Sequence, residues 1–203
     1  MAVMQLHGAE VRPVFSSGFY AAPNVRANFI DDADLKQVGF STGGKVRFDP
    51  GVAFGVRGGY RFCEWFSLEG ETGFTGNSIK SMTGASVDAD LLQVPFLANA
   101  VFSVPLRFGV SPFAGAGVGG VTSIIDADEI NDGNLIAIGS EAATSFAYQV
   151  FAGVHFAIDD RISVGLIYNY RVVDGPRWDR SSFLIETGDL RNHSIGVSAN
   201  FRF

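Results

Sequence analysis

Three histidines, one cysteine and a cluster of acids are the side chains of this 203-residue chain with chemistry to test beyond a structural role. A hydrolytic relay needs a histidine within reach of a hydroxyl and a carboxylate. His193 stands beside Ser194, with Ser181, Ser182, Glu186 and Asp189 shortly before it. The segment around His193 alternates, however, and neighbours in an alternating strand point to opposite faces. A His193–Ser194 dyad is therefore disfavoured, and His193 is expected at a lipid–water interface. His155 falls on a polar face and is expected to be a hydrogen-bonded donor rather than a base, while His7 has no comparable setting. Cys63 alone excludes an internal disulfide and lacks the spacing of a metal site. Segment 122–144 holds Asp126, Asp128, Glu129, Asp132 and Glu141 without a basic residue. Such oxygen ligands suit calcium, but the EF-hand order of ligands and glycine is absent, so a solvated acidic loop is expected. Gly117-Val-Gly-Gly120 lacks the strand-to-helix context of a phosphate loop. No catalytic residue, metal site or cofactor is expected.

The elements that hold these residues are strands. Eight stretches alternate between apolar residues and small or polar ones, the last being the carboxyl-terminal segment itself. There Ile195, Val197, Ala199, Phe201 and Phe203 share one face, and Ser194, Gly196, Ser198, Asn200 and Arg202 the other. The hairpin of 48–62 and 65–74 sets Phe48, Val52, Phe54, Val56, Tyr60, Phe62, Phe66, Leu68 and Phe74 against a face carrying Arg57, Arg61, Glu69 and Glu71. Only the first face is free of charge. Tight turns near Cys63-Glu64, Pro105 and Asp159-Asp160 alternate with long segments at 30–45, 77–90, 122–144 and 174–190.

No run of about 18 apolar residues exists to form a spanning helix, but barrel strands need only roughly ten alternating residues. Mean hydropathy is +0.20 and the net charge is −6, which with no basic run argues against nucleic acid as a partner. A soluble β-sandwich would carry more Lys and Glu on its polar face; here that face is rich in Gly and Ser, as a crowded eight-stranded interior requires. Aromatics cluster near both strand ends, fitting two interfacial girdles. The fold expected is all-β: an eight-stranded antiparallel up-and-down transmembrane β-barrel with short periplasmic turns and four long extracellular loops. Residues 1–17 are expected to form an N-terminal periplasmic segment and 18–203 the barrel domain. The amino terminus lacks the basic segment and apolar core of a complete secretory signal. Inside the barrel, Arg26, Arg57, Arg61, Glu69, Glu71, Arg107, Arg161, Arg171 and Arg202 are expected to form a lumen charge network. Arg57 should lie near Glu69 or Glu71, because inward positions pair with inward positions across a hairpin. Pro23, Pro95 and Pro112 each remove a ladder donor.

Three segments carry a resemblance: Gly51-Val-Ala-Phe-Gly-Val-Arg-Gly-Gly-Tyr-Arg-Phe62 followed by Trp65-Phe-Ser-Leu-Glu-Gly-Glu71, Pro112-Phe-Ala-Gly-Ala-Gly-Val-Gly-Gly120, and the terminal Phe203. Over about residues 18–203 the chain resembles the small eight-stranded outer-membrane barrels, including OmpA-type membrane domains and porin family surface-antigen barrels. The resemblance implies a monomer in the outer membrane of a Gram-negative-type bacterium, in contact with membrane lipid and lipopolysaccharide. It also implies that Ile195, Val197, Ala199, Phe201 and Phe203 form the signal read by the outer-membrane assembly machinery. The function implied is structural or surface-interacting, with a possible extracellular ligand held by the loops and no catalysis; the alternative is a narrow passive channel for small solutes. Without a peptidoglycan-binding domain after Phe203, a direct cell-wall tether is not expected.

Deleting Phe203 is expected to lower the fraction of chain recovered from the outer membrane as heat-modifiable, protease-resistant barrel, because an interfacial anchor and the last apolar element of the closing strand are lost together. Phe203→Ser should have a smaller effect, since its backbone still pairs. Normal recovery of both variants at native expression would count against the terminal signal.

Overall fold

A computed structural model describes residues 17–37, 40–82, 88–129, 141–180 and 183–203. Twelve strands follow one another among them: β1 (Gly18–Ile30), β2 (Ala33–Gln37), β3 (Phe40–Phe48), β4 (Gly51–Cys63), β5 (Phe66–Met82), β6 (Asp88–Ser103), β7 (Val110–Glu129), β8 (Glu141–Ala157), β9 (Ile162–Val173), β10 (Arg177–Arg180), β11 (Phe183–Thr187) and β12 (Leu190–Arg202). Eight of them close into a barrel in the order β1-β4-β5-β6-β7-β8-β9-β12, every neighbour antiparallel, with β12 returning to β1. Closure leaves no open edge, the condition for placing a sheet in lipid.

Alternation decides which face is inside, and the result is inverted relative to a soluble barrel. Phe54 is 44% exposed while Arg57, three residues on, is 1% exposed. Phe19, Phe29, Val52, Phe74, Phe96, Val164 and Ile195 likewise face out, whereas Asn24, Arg26, Glu71, Gln93, Asn99, Gln149 and Arg171 are buried within. At the short-turn end the outward rings form a continuous chain: Phe19 to Tyr60 at 4.8 Å between centroids, Tyr60 to Phe62 at 5.1 Å, Phe62 to Phe66 at 5.9 Å and Phe66 to Phe102 at 5.2 Å. Trp65 stacks on Phe102 at 6.0 Å, extending the girdle. Phe108, in the turn between β6 and β7, takes a left-handed φ of 65° and leaves its ring exposed.

The expected loops are shorter than alternation indicated. β5 runs to Met82 and β6 starts at Asp88; β7 runs to Glu129 and β8 starts at Glu141, so much of 77–90 and 122–144 is strand. Segments 30–45 and 174–190 hold further strands: β2 pairs with β3, β10 with β11, β11 with β2, and β3 joins β5. The spanning strands β1, β4, β9 and β12 have 12 to 13 residues and β5 to β8 have 16 to 20. The β10-β11-β2-β3 ribbon thus continues the wall where the spanning strands stop early. About 9 to 11 residues of strand suffice to cross a bilayer, and beyond that length no alternation of apolar and polar residues is required. Residues 1–16, including His7, lie outside the described residues.

One seam is imperfect. The β1–β12 ladder keeps a single register from Tyr20↔Arg202 to Ile30↔Asn192 but lacks the rungs of Ala22 and Pro23. The amide of Phe203 donates to the Phe19 carbonyl at 3.0 Å, so odd-numbered β1 residues direct their backbone polar groups at β12. Pro23, opposite Ala199 in that register, has no N–H to donate. Pro23→Val is expected to restore the rung and raise the unfolding temperature of the folded barrel in a gel-mobility assay, a gain on the order of 1 kcal/mol. An unchanged or lower temperature would show that the seam is satisfied otherwise.

Candidate functional site

Among the described residues the lumen gathers most of the buried polar side chains, and their position follows from strand parity. Even-numbered residues of β1 and β12 and odd-numbered residues of the other six spanning strands point inward. Glu71 on β5 is the centre. Its Oε1 accepts from Arg26 Nη2 at 3.0 Å and Arg171 Nη2 at 3.3 Å; its Oε2 accepts from Gln149 Nε2 at 2.6 Å and Asn99 Nδ2 at 3.1 Å. Gln149 also donates to Asn99 Oδ1 at 2.8 Å, while its own Oε1 takes Asn169 Nδ2 at 2.9 Å and Arg171 Nε at 3.3 Å. Five strands are tied to one carboxylate in this way, directly or through one amide. Charge-assisted bonds of this kind are the strong class.

Glu69, one inward position nearer the turns, accepts from Tyr20 Oη at 2.5 Å and pairs with Arg57 at 3.4 Å. The Arg57 guanidinium also lies 5.8 Å and 5.5 Å from the ring centroids of Phe113 and Phe151. Those two rings pack with Val101 and Ile167 in a small apolar cluster inside the barrel. Among the described residues the buried charges are Arg26, Arg57, Arg61 and Arg171 against Glu69 and Glu71. Ring faces at Arg57 and at Arg61, which sits 5.7 Å from the Tyr20 centroid, help hold the cationic excess.

Toward the long-connection end come amides and then apolar side chains. Asn28 donates to Asn77 Oδ1 at 2.8 Å and to Asn192 Oδ1 at 3.3 Å, and accepts from Ser194 at 3.0 Å. Beyond them Ile30, Ala33, Leu91, Leu97, Val121, Ala147, Val173 and Leu190 form a buried apolar layer. Glycine stands opposite large inward side chains where the neighbouring backbone also comes close: a Cβ on Gly153 would lie 2.1 Å from the Leu166 carbonyl oxygen and 2.6 Å from the Phe113 ring, and one on Gly196 2.0 Å from the Val25 carbonyl oxygen and 2.8 Å from Arg26 Cγ.

The network takes in five of the nine expected charges, Arg26, Arg57, Glu69, Glu71 and Arg171. Arg61 is buried at the turn end against Tyr20. Arg202 is half-buried there, its Nη2 on the Asp160 carbonyl. Arg161 corrects its expected lumen position: it is exposed in the turn between β8 and β9, past the last rungs of the ladder. The Arg107 side chain lies outside the described residues. His155 departs from its expected role as a hydrogen-bonded donor. It is inward and buried, but neither ring nitrogen has a partner among the described residues, and the ring stacks on Phe113 at 4.1 Å. His193 faces out and meets Tyr168 Oη at 2.7 Å and Asp31 at 3.5 Å, opposite in direction to Ser194. The uncharged relays Asn99 and Gln149 carried the correct parity in sequence, but no charge to single them out. Ile195, Val197, Ala199, Phe201 and Phe203 lie along the outward face of β12 and its end. Among the described residues no three metal-ligating side chains converge; of the acidic segment, 130–140 lies outside them.

A family model for the outer membrane protein beta-barrel domain matches residues 13–203. Among solved structures the chain is similar in fold to Neisserial surface protein A, at 15% identity and a TM-score of 0.64, with 93% of this chain and 100% of that one covered. It is similar to outer membrane protein OprG from Pseudomonas aeruginosa at 14% identity and a TM-score of 0.63, covering 94% and 99%. Outer membrane protein AlkL, solved in lipid bilayers, gives 14% identity and a TM-score of 0.58, covering 93% and 90%. No curated protein matches the sequence.

Glu71→Gln is expected to destabilise the barrel by about 3 to 5 kcal/mol, since Arg26 and Arg171 would stay buried without their counter-charge. Glu69→Gln should cost less, because the Arg57 guanidinium retains its ring faces. Urea unfolding of both variants from lipid vesicles checks the order; equal midpoints would contradict a network centred on Glu71.

Proposed function

We propose, because the chain belongs to the family of outer membrane protein beta-barrel domains, that it is a closed, non-catalytic barrel of a Gram-negative-type outer membrane whose work is done by the surface it raises above the bilayer. The observation that carries this reading is the filling of the lumen. Charged, amide and apolar tiers succeed one another along the barrel axis, and an eight-stranded barrel has interior room for side chains but little for a pore. The charge network then serves as a fixed plug. Its cost in desolvation is offset only while its partners stay in place, which favours rigidity over gating.

The raised surface is mostly sheet. A spanning strand needs about 9 to 11 residues, so the 20 residues of β7 exceed the bilayer by roughly 30 Å of strand at about 3.4 Å per residue. With the β10-β11-β2-β3 ribbon opposite, this supports a role in contact with an extracellular ligand or in shielding the envelope. Outward Tyr168, His193 and Asp31 stand where lipopolysaccharide and its headgroups would be met. The outward row from Ile195 to Phe203 supports a role in recognition by the assembly machinery. A single closed barrel with a lipid-facing wall on every side supports a monomer.

Protein reconstituted in planar bilayers, with insertion verified, is expected to be electrically silent. Reproducible single-channel steps whose size changes in Arg57→Ala would reverse the reading in favour of a narrow passive channel, which the arginine excess of the lumen would then serve.

A further inference from the structure

The short turns differ in what they expose. The β8–β9 turn presents Asp159, Asp160 and Arg161 and the β4–β5 turn Glu64 with Trp65, whereas the connection from β6 to β7 presents Val104, Leu106 and Phe108. Phe108 is 88% exposed; among the described residues no ring on the spanning strands exceeds the 66% of Phe19. Its backbone is held at a φ of 65°, and Gly109 follows at 71°. Two bonds clamp the turn in this shape, the Val104 amide donating to the Pro112 carbonyl and the Leu106 amide to the Val110 carbonyl, both at 2.9 Å. The left-handed region is costly for a bulky side chain and nearly free for glycine or asparagine. In water Phe108 would be unfavourable twice, once for its backbone and once for its ring.

The apolar surface runs into this turn from the wall. On β6 the outward row Phe96, Ala98, Ala100 and Phe102 leads to Val104 and Leu106, and Trp65 stacks on Phe102. On β8 the outward row ends in Phe156 and the exposed Ile158. The β7–β8 ladder pairs Val110 with Phe156, and the same register carried two residues on sets position 108 level with Ile158. Lipid already covers the wall, and the same lipid continued past the strand ends would cover Ile158, Leu106 and Phe108. An aromatic ring at that depth gains an interfacial setting that offsets its backbone strain.

We propose that the β6–β7 turn is a membrane anchor, in which Phe108, with Val104 and Leu106 behind it, is immersed in the phospholipid leaflet that faces the periplasm. The turn reaches lipid only if the barrel itself spans a bilayer, so the test reports the two separately. The folded full chain is placed in vesicles of phosphatidylethanolamine and phosphatidylglycerol, with Trp65→Phe and Trp178→Phe removing the two native indoles. In that background Phe54→Trp, on the middle of the wall, is expected to be quenched by lipid brominated deep in its chains, which establishes insertion. Phe108→Trp is expected to emit at short wavelength, to lose about half of its emission to lipid brominated near the headgroup, and to resist aqueous iodide. Phe108→Asn, which suits the left-handed backbone but not lipid, is expected to lower the urea midpoint of the barrel in vesicles. Emission from Phe108→Trp that iodide quenches and brominated lipid does not would overturn the anchor. So would short-wavelength emission untouched by brominated lipid, the mark of a protein partner or a second copy, and so would a Phe108→Asn midpoint at or above that of the unaltered chain.

Discussion

Lipid supplies no hydrogen bonds, and every other feature of this protein follows from that constraint. The backbone must pair with itself all the way round, so β12 has to meet β1 across nearly the whole length of the chain. That pairing fixes the parity of all eight spanning strands at once. A residue displaced by one position would turn its strand's apolar set into the lumen and its charges into hydrocarbon. The register is therefore held by both faces together, more firmly than in a soluble sheet that can wet one side.

With the wall fixed, the interior becomes a problem of electrostatic satisfaction. Glu71 solves most of it by accepting from two arginines and two amides drawn from four other strands. A carboxylate so placed cross-links strands far apart in sequence, with Arg171 lying 100 residues away. The amides matter as much as the charges, because Gln149 turns a single acceptor into a chain reaching Asn169 and Arg171. Aromatic faces supply the remaining counter-density, and His155, stacked on Phe113, belongs to this packing rather than to the hydrogen-bond web.

Much of this was legible in the alternation of residue types, for a specific reason. Inside and outside of a lipid-bound strand differ so sharply that period-two patterning names the face of Phe54 or Arg57 directly. Pairing across the Cys63 turn was legible too, since a tight hairpin leaves little choice of partner, and Arg57 meets Glu69 there. What lay beyond reach was anything set by the stagger of distant strands. Nothing local to Glu71 names Arg26, Gln149 and Arg171 as its neighbours. The short strands Ala33–Gln37 and Phe183–Thr187 were equally hidden, because they pair with each other across some 150 residues and stand outside lipid, where no face need be apolar. The exposure of Arg161 had a simpler origin: alternation says which face a strand residue takes, but a turn residue has no face.

The glycines opposite Phe113 and Arg26 carry a consequence for how such a protein can change over generations. Each is kept bare twice over, by a backbone carbonyl of the neighbouring strand, Leu166 at Gly153 and Val25 at Gly196, and by the large side chain it faces. Trimming Phe113 would leave a hollow and still admit no side chain at Gly153, because the backbone cannot withdraw without breaking its ladder. The inner wall should accordingly keep these glycines fixed, and drift slowly. The lipid face, where one apolar residue serves nearly as well as another, is free to wander one substitution at a time.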